Sequence, residues 1–580
     1  MTSSRRFTLS GRAALFALAL QLPMTVAGSA PLDSSDAELE RMMAKRHAVQ
    51  KLAGPKATDE ELRQAITRFQ ELMGELQSPP LRDMGNGDLF LRNERLNNQI
   101  SLAEAYVRLG MKDKALDALE RSTEVAWLPF LAEIDKRPSL AALAGEPRMA
   151  LIKARNELGG KLFKVPGIAV PYKEKLSVEE RIAGLSLFWH EVRQHFVYFD
   201  HVPKLDWDKV FLEYIGKVSA AETTRDYYDV LMRLAPLLQD GHTNIFPPEQ
   251  LVDQFYARPP VRTALIEDRV IVLGVNSPSL EKSVRMGDEI VAIDGMPVKA
   301  YAEQRVAPYA SSSTPQDKQV RTYSYGLLSG PAERPLQLAL LGADGKRREV
   351  TVARSGYQDV RKRPQFEVKT LGNNVVYIAL DHFESDESIK AFESALPAIY
   401  GAKALIIDVR NNGGGSSGYG HRILSYLSNK PVVGAASHVR SDNPVIRAQW
   451  HSAVSWMRID KAEDAMQPQA RIFSGPVAVL AGPRSFSAAE DFLVAYDMLE
   501  RGIIVGEATG GSTGQPLSFQ LPGGGRARVC VKRDTYQDGR AFVGRGVQPH
   551  IEVRPTVQSV RLGKDPVLDK ALAALSSKMK

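Results

Sequence analysis

The residues best placed to do chemistry lie between Val477 and Gln515, in VAVLAGPRSFSAAEDFLVAYDMLERGIIVGEATGGSTGQ. VAVLA suits a buried strand, and Gly482 and Pro483 break it. SAAEDFLVAYDML then has helical periodicity, with Ala489, Phe492, Leu493, Tyr496 and Leu499 on one face. A second apolar strand and a Gly-rich loop follow. Ser487 therefore stands at the mouth of a helix. A serine there can be a plain N-cap, and this stretch alone favours that reading. It can also be a nucleophile, because the free N–H groups and positive dipole end of the helix stabilise a developing oxyanion. The rest of the chain reverses the preference.

A second glycine-rich turn offers matching chemistry. VVYIAL, a helix at DESIKAFESALPAIY and then ALIIDVR form a βαβ unit that ends in NNGGG, Asn411 to Gly415. Three glycines between strand and helix permit close backbone approach and positive φ. The pattern is neither GxxxxGK[ST] nor GxGxxG, so nucleotide binding is not expected. An oxyanion-stabilising loop needs the same freedom, although a tight turn alone explains it.

At 580 residues the chain exceeds one hydrophobic core, and three or four domains are expected. The formal net charge of +7 comes from Lys and Arg mixed with Asp and Glu, with no basic block that would track nucleic acid. Cys530 is the single cysteine, which excludes an intrachain disulfide. It lies in the alternating ARVCVKR, a buried strand position with no histidine nearby. The histidines are scattered, without an HExxH pair or a Cys–His cluster, so neither metal nor organic cofactor is expected.

Elements that must position these residues follow in order. Residues 1–30 read as an export signal: Arg5 and Arg6, an apolar run from Ala13 to Ala27, then small residues. The general secretory route is favoured over the twin-arginine one, and a periplasmic location fits the lack of disulfides. Residues 36–164 have helical patterning. Within them NNQISLAEAYVRLGMKDKALDALERSTE resembles one tetratricopeptide unit, which reads as a partner-docking surface or a helical spacer. Residues 173–250 form a second helical segment, opened by Ser177 with Glu179 and Glu180 and closed by QDGHTNIFPP. His242 sits there in a turn, where a histidine is more often structural.

From residue 255 to 356 the chain turns to short strands, VIVLGV, DEIVAIDG, LQLALLG and REVTVAR. MGDEIVAIDGMPV resembles the signature of a PDZ domain, which adds a peptide as a strand to a sheet edge. ASSSTPQDK, Ala310 to Lys318, reads as a mobile loop beside this module. Residues 366–556 alternate strands and helices, and 557–580 form a helical tail.

Taken together, DVRNNGGG, FSAAEDF, VGEATGG and GVQPHI, in that order behind a PDZ-like segment, resemble the tail-specific (C-terminal processing) serine peptidases and their tricorn-type relatives. The resemblance spans roughly Leu176 to Val553. With the N-terminal helical region and the PDZ-like β module, a multidomain α+β chain is expected, and the resemblance implies an α/β core like that of crotonase and Clp-type proteases. Tail-specific enzymes take their base from a lysine after the serine helix; that position here is Ser512, so a Ser–Lys dyad is not expected. Tricorn-type enzymes recruit a histidine from a helical segment ahead of the PDZ module, which makes His242 of LLQDGHTNI the base. The family's oxyanion donors carry over to the amides of Ala488 and Gly414, with Gly413 the alternative. Glu490 reads as structural, one turn on and facing away.

Two positions depart from the tricorn pattern. Gly241 stands where that pattern has a serine before the histidine, and Val543 where it has a glutamate before GVxP. Glu507, Asp240 or Asp534 could supply the base-orienting acid, with Glu507 the first choice. The departures leave a slower dyad, a different third member, or lost activity. The resulting expectation is an exported serine endopeptidase acting on proteins or peptides that the PDZ-like module presents or gates. The alternative is a catalytically weak peptide- or ligand-binding scaffold of the same fold.

Overall fold

In the computed structural model, residues 34–79, 81–84, 89–125, 137–163, 167–355, 365–449, 454–460 and 465–579 are described. The expected export signal lies outside them. The chain divides into two compact units, Met1–Phe163 and Lys164–Lys580. Among the described residues no helix is long and apolar enough to cross a membrane.

The first unit is helical. Asp59–Glu75 opens with a capping box in which Thr58 and Glu61 exchange hydrogen bonds. Leu89–Arg108 and Lys112–Val125 are joined by a turn in which Gly110 takes φ +72°. Ala103, Tyr106, Ala115 and Leu119 are buried, so small side chains let these helices pack closely.

The second unit is built on a six-stranded sheet with strands β1 Phe366–Leu371, β2 Val375–Leu380, β3 Ala404–Asp408, β4 Val477–Ala481, β5 Ile503–Gly506 and β6 Ile551–Glu552. They lie side by side in that order, parallel except for the β1–β2 hairpin. The apolar runs of β3 and β4 are buried on both faces, as parallel strands under helices require. Leu405, Ile407, Val477 and Val479 face the large core that holds the helix Ala488–Met498. Ala404, Ile406, Ala478 and Leu480 face the other way, onto the terminal helix Pro566–Ser576.

Residues 261–352 form a separate antiparallel sheet in the order Val261–Ile266, Arg269–Val275, Glu289–Ile293, Leu336–Leu341, Arg347–Val352. Val270, Val272, Ile290, Leu336, Leu338 and Leu340 fill its own core. Residues 310–318, expected to be mobile, are instead packed down. Ser311, Ser312, Thr314 and Asp317 are buried, and Thr314 caps the short helix Pro315–Gln319. Thr314 Oγ1 donates to Gly510 O (2.8 Å), and Gln316 Nε2 donates to Thr509 O and Arg545 O (both 2.9 Å). The polar composition that suggested a solvated loop serves here to satisfy carbonyls of the Gly-rich loop.

Candidate active site

Strand β4 delivers the chain to a tight turn, and Ser487 ends it as the N-cap of Ala488–Met498. Its backbone is at φ 58°, ψ −125°, a strained conformation for a residue with a Cβ. The strain is held from both sides. Phe486 N donates to Asn412 O (3.0 Å), Ser487 N to Ser512 O (3.1 Å) and Gly510 N to Ser485 O (3.0 Å). Gly414, at φ +100°, approaches so closely that a Cβ on it would lie 2.6 Å from Ser487 Cβ.

Ser487 is more than a cap. Its Oγ lies 3.0 Å from His242 Nε2, although the two residues are 245 positions apart. His242 reaches it because the three-residue strand Asn244–Phe246 pairs antiparallel with Arg526–Cys530. The imidazole stacks on Phe486 (centroids 4.8 Å apart, planes 15°), and Arg321 lies over the same Phe486 ring at 5.0 Å. Burial, with the cations Arg528, Arg321 and Lys532 nearby, holds the His242 pKa well below its usual value. The ring is therefore neutral at pH 7, the form a general base requires.

The second ring nitrogen meets none of the three candidate acids. His242 Nδ1 is 2.8 Å from Ser512 Oγ. With Nε2 as the acceptor from Ser487, Nδ1 carries the proton and donates it to that hydroxyl. Glu507 is a correction: its carboxylate faces Arg554 at 3.8 Å and makes no hydrogen bond to His242. The reason is its place at the end of β5, where its N–H continues the ladder to Ala481 O (3.1 Å) and points its side chain away. Asp240 accepts from His242 N (3.1 Å) and Thr243 Oγ1 (2.7 Å), which shapes the turn without touching the imidazole. Asp534 is engaged by Thr513 Oγ1 (2.9 Å) and Lys532 (3.1 Å). Val543 is buried in the apolar core.

Gly241 has a steric reason. A Cβ there would stand 2.8 Å from Phe486 Cζ and 2.9 Å from Ser512 Oγ. The stacked phenyl and the Ser512 hydroxyl fill the space that a serine side chain at this position would need.

Glu490, read as facing away, is the residue that sequence reasoning missed. It is fully buried, and its carboxylate accepts from Gly511 N (2.7 Å), Ser512 N (2.8 Å), Ser487 N (3.3 Å) and Thr509 Oγ1. Burial pushes its pKa up to about 8, with the Asp317 carboxylate adding to the rise, while the hydrogen bonds from Thr509 Oγ1, Ser512 N and Gly511 N act against it. It ties the serine turn to the loop that carries Ser512. The S-x-x-E spacing of a capping box was the signal that could have found it.

The oxyanion side is only half as expected. The Ala488 N–H has no acceptor among the described residues. The Gly414 N–H does: it donates to Asn412 Oδ1 (2.9 Å), and Asn412 is itself buried and anchored through Nδ2 to Leu380 O (2.9 Å). Gly414 is thus occupied. Gly413 borders the same cavity, and its N–H has no acceptor among the described residues. This cavity of about 520 Å³ is lined by Ser487, His242, Gly413, Gly414, Arg321 and Tyr325, among others. Cys530 is buried and its thiol contacts only backbone carbonyls, so it plays no part. Among the described residues no cluster could hold a metal ion.

Comparison with known proteins points to a peptidase family. Residues 374–553 match the model of peptidase family S41. The chain is 24% identical over 369 residues to the "C-terminal processing peptidase, chloroplastic" of Tetradesmus obliquus, covering 60% of this chain and 73% of that one. A Chlamydia trachomatis protein is 30% identical over 112 residues, 18% of this chain and 19% of that one. Among solved structures, mature CPAF complexed with lactacystin has the same fold at TM-score 0.55 and 16% identity, covering 69% of this chain and 98% of that one. Residues 374–553 therefore match the peptidase family S41 core, and the chain carrying them is a serine-type peptidase similar to the C-terminal processing peptidases.

Proposed function

We propose that the chain is a serine endopeptidase in which Ser487 is the nucleophile and His242 its general base. The observation that carries this is the 3.0 Å approach of Ser487 Oγ to His242 Nε2, beside an open cavity. His242 takes the hydroxyl proton as Oγ attacks the scissile carbonyl, then returns it to the leaving amine. The Ala488 N–H at the helix mouth receives the oxyanion, with the Gly413 N–H as its partner in place of the occupied Gly414.

Ser512 completes the set as the residue that fixes the His242 tautomer. A hydroxyl can accept the Nδ1 proton and orient the ring. It brings no charge to stabilise the imidazolium, so the enzyme should be slower than one with an acid in this place. The module over residues 255–356, PDZ-like by its sequence, would present or gate peptides. The reading of residues 1–30 as an export signal would place the enzyme in the periplasm.

The test is labelling of the purified protein by a fluorophosphonate beside Ser487→Ala and His242→Ala. Labelling of wild type alone supports the reading. Absence of labelling in a folded preparation would favour the ligand-binding scaffold, for which the missing acid and the occupied Gly414 amide already speak.

A further inference from the structure

Beside the nucleophile lies a larger cavity, of about 1670 Å³. It exceeds the roughly 300–1,000 Å³ of a small-molecule site and suits a stretch of chain. Arg321 and Tyr325 line both cavities, so the two are contiguous. Its wall is strongly one-signed: eight arginines against three carboxylates, and no lysine.

What these arginines do inside the protein is informative. Arg225 pairs with Asp226 (3.7 Å), Arg233 with Asp229 (3.1 Å) and Arg321 with Asp317 (2.9 Å), while Arg354 is spent on backbone carbonyls such as Leu328 O (3.1 Å). Arg258, Arg305, Arg334 and Arg526 have no carboxylate partner among the described residues. The Nε of Arg258 is buried without any hydrogen bond. Arg526 is held instead by the face of Phe246, 4.5 Å away. An aromatic face orients a guanidinium plane while leaving its N–H edge free. Crowding like charges without partners raises the energy of the empty cavity, and an anion relieves it. Arginine forks match carboxylates in two-point geometry, which a lysine-lined wall would not.

We propose that this cavity is a binding site for an acidic segment of the peptide substrate, carrying several Asp or Glu side chains beyond the residues at the scissile bond. The inference rests on the peptidase reading for what is bound. The site would select substrates by acidity at a distance from the cleaved bond. Removal of its free arginines would then raise KM for acidic substrates more than it lowers kcat.

The experiment uses the full-length Ser487→Ala protein, so its outcome does not depend on the chemistry at Ser487, which fluorophosphonate labelling reads separately. Fluorescein-labelled alternating Glu/Ala and Gln/Ala dodecapeptides are titrated by anisotropy at about 50 and about 300 mM salt. The acidic peptide should bind at least about tenfold more tightly, with an advantage that shrinks at the higher salt. In Arg305→Gln/Arg334→Gln/Arg526→Gln, whose substituted side chains are all exposed and so spare the fold, the advantage should fall below about threefold. Equal affinity for the two peptides overturns the proposal, as does an advantage that survives the triple variant. Displacement of the acidic peptide by an oligothymidylate at equal concentration would mark a general polyanion site and overturns it as well.

Discussion

The serine half and the histidine half of the candidate site are built in different ways. The serine half is nearly contiguous: β4, a short turn and the helix Ala488–Met498 follow one another, with the glycine turn after β3 alongside. The histidine half is assembled from distant pieces. His242 is held by Asp240 within its own turn, by Phe486 from the serine turn, by Ser512 from the Gly-rich loop and by the strand Arg526–Cys530. A nucleophile exposed by a local strand–turn–helix can be read from its neighbours. A base that depends on four segments cannot. The contrast also says where the site should be fragile: one substitution in the histidine half loosens the base without unfolding the serine turn.

The comparison is broken most completely by removing either reactive group. Ser487→Ala should lower peptide hydrolysis on the order of 10⁶-fold, and His242→Ala by a similar factor, because the two act as a unit. Steady-state rates on a casein-type substrate, with circular dichroism to check folding, would show it. Glu490→Ala should affect both halves at once. It strands three buried donors, since Ser487 N keeps Ser512 O, and should destabilise the second unit by about 3 kcal/mol or more, read by urea unfolding. If stability is unchanged, Glu490 does not tie the two halves together.

Ser512→Ala sharpens the comparison, since it should touch only the histidine half. Up to about 100-fold in kcat should be lost as the imidazole loses its orientation, with a stability cost of about 1–3 kcal/mol for the Nδ1–H left without its acceptor. An unchanged kcat would remove Ser512 from the site. Gly241→Ala should cost about 1–3 kcal/mol, because its Cβ would meet Phe486 and Ser512 at 2.8 and 2.9 Å. The smallest effect is in the pH profile. The His242 pKa is depressed, so the neutral base persists as pH falls. The acid limb of kcat/KM should lie below the usual histidine value near 6.5. A limb at or above that value would mean that the base is more solvated than its burial implies.

Much of the site was legible because its signals are local. The apolar run of β4, the breaking Gly482 and Pro483, and the helical period after Ser487 place a serine at a helix mouth. Motif order then singled out His242, which composition alone left as a turn histidine. The third member was not legible. Glu507 was chosen by its nearness to a motif, but the pleat of β5 turns its side chain toward Arg554. Ser512, noted only as a missing lysine, is the group that meets Nδ1. The segment Ala310–Lys318 misled for a similar reason. Serine and threonine in a row read as solvated until Thr314 Oγ1 is seen to donate to Gly510 O and Ser313 Oγ to accept from Gly241 N.

By itself the sequence determined the strands and helices of the core, the position of Ser487 at a helix mouth, the glycines that let backbone approach it and the lack of a lysine base. Those follow from residue type and short-range periodicity, which act within a turn or two of chain. The tertiary structure alone decided what faces His242 Nδ1, that Asn412 occupies the Gly414 amide, that Glu490 fastens two loops and that arginines without a carboxylate partner among the described residues gather near Ser487. Apart from the Asn412–Gly414 bond, which joins near neighbours, these depend on groups brought together from positions far apart in the chain. The physical reason is that a hydrogen bond or ion pair is fixed by distance in space, which periodicity along the chain does not encode.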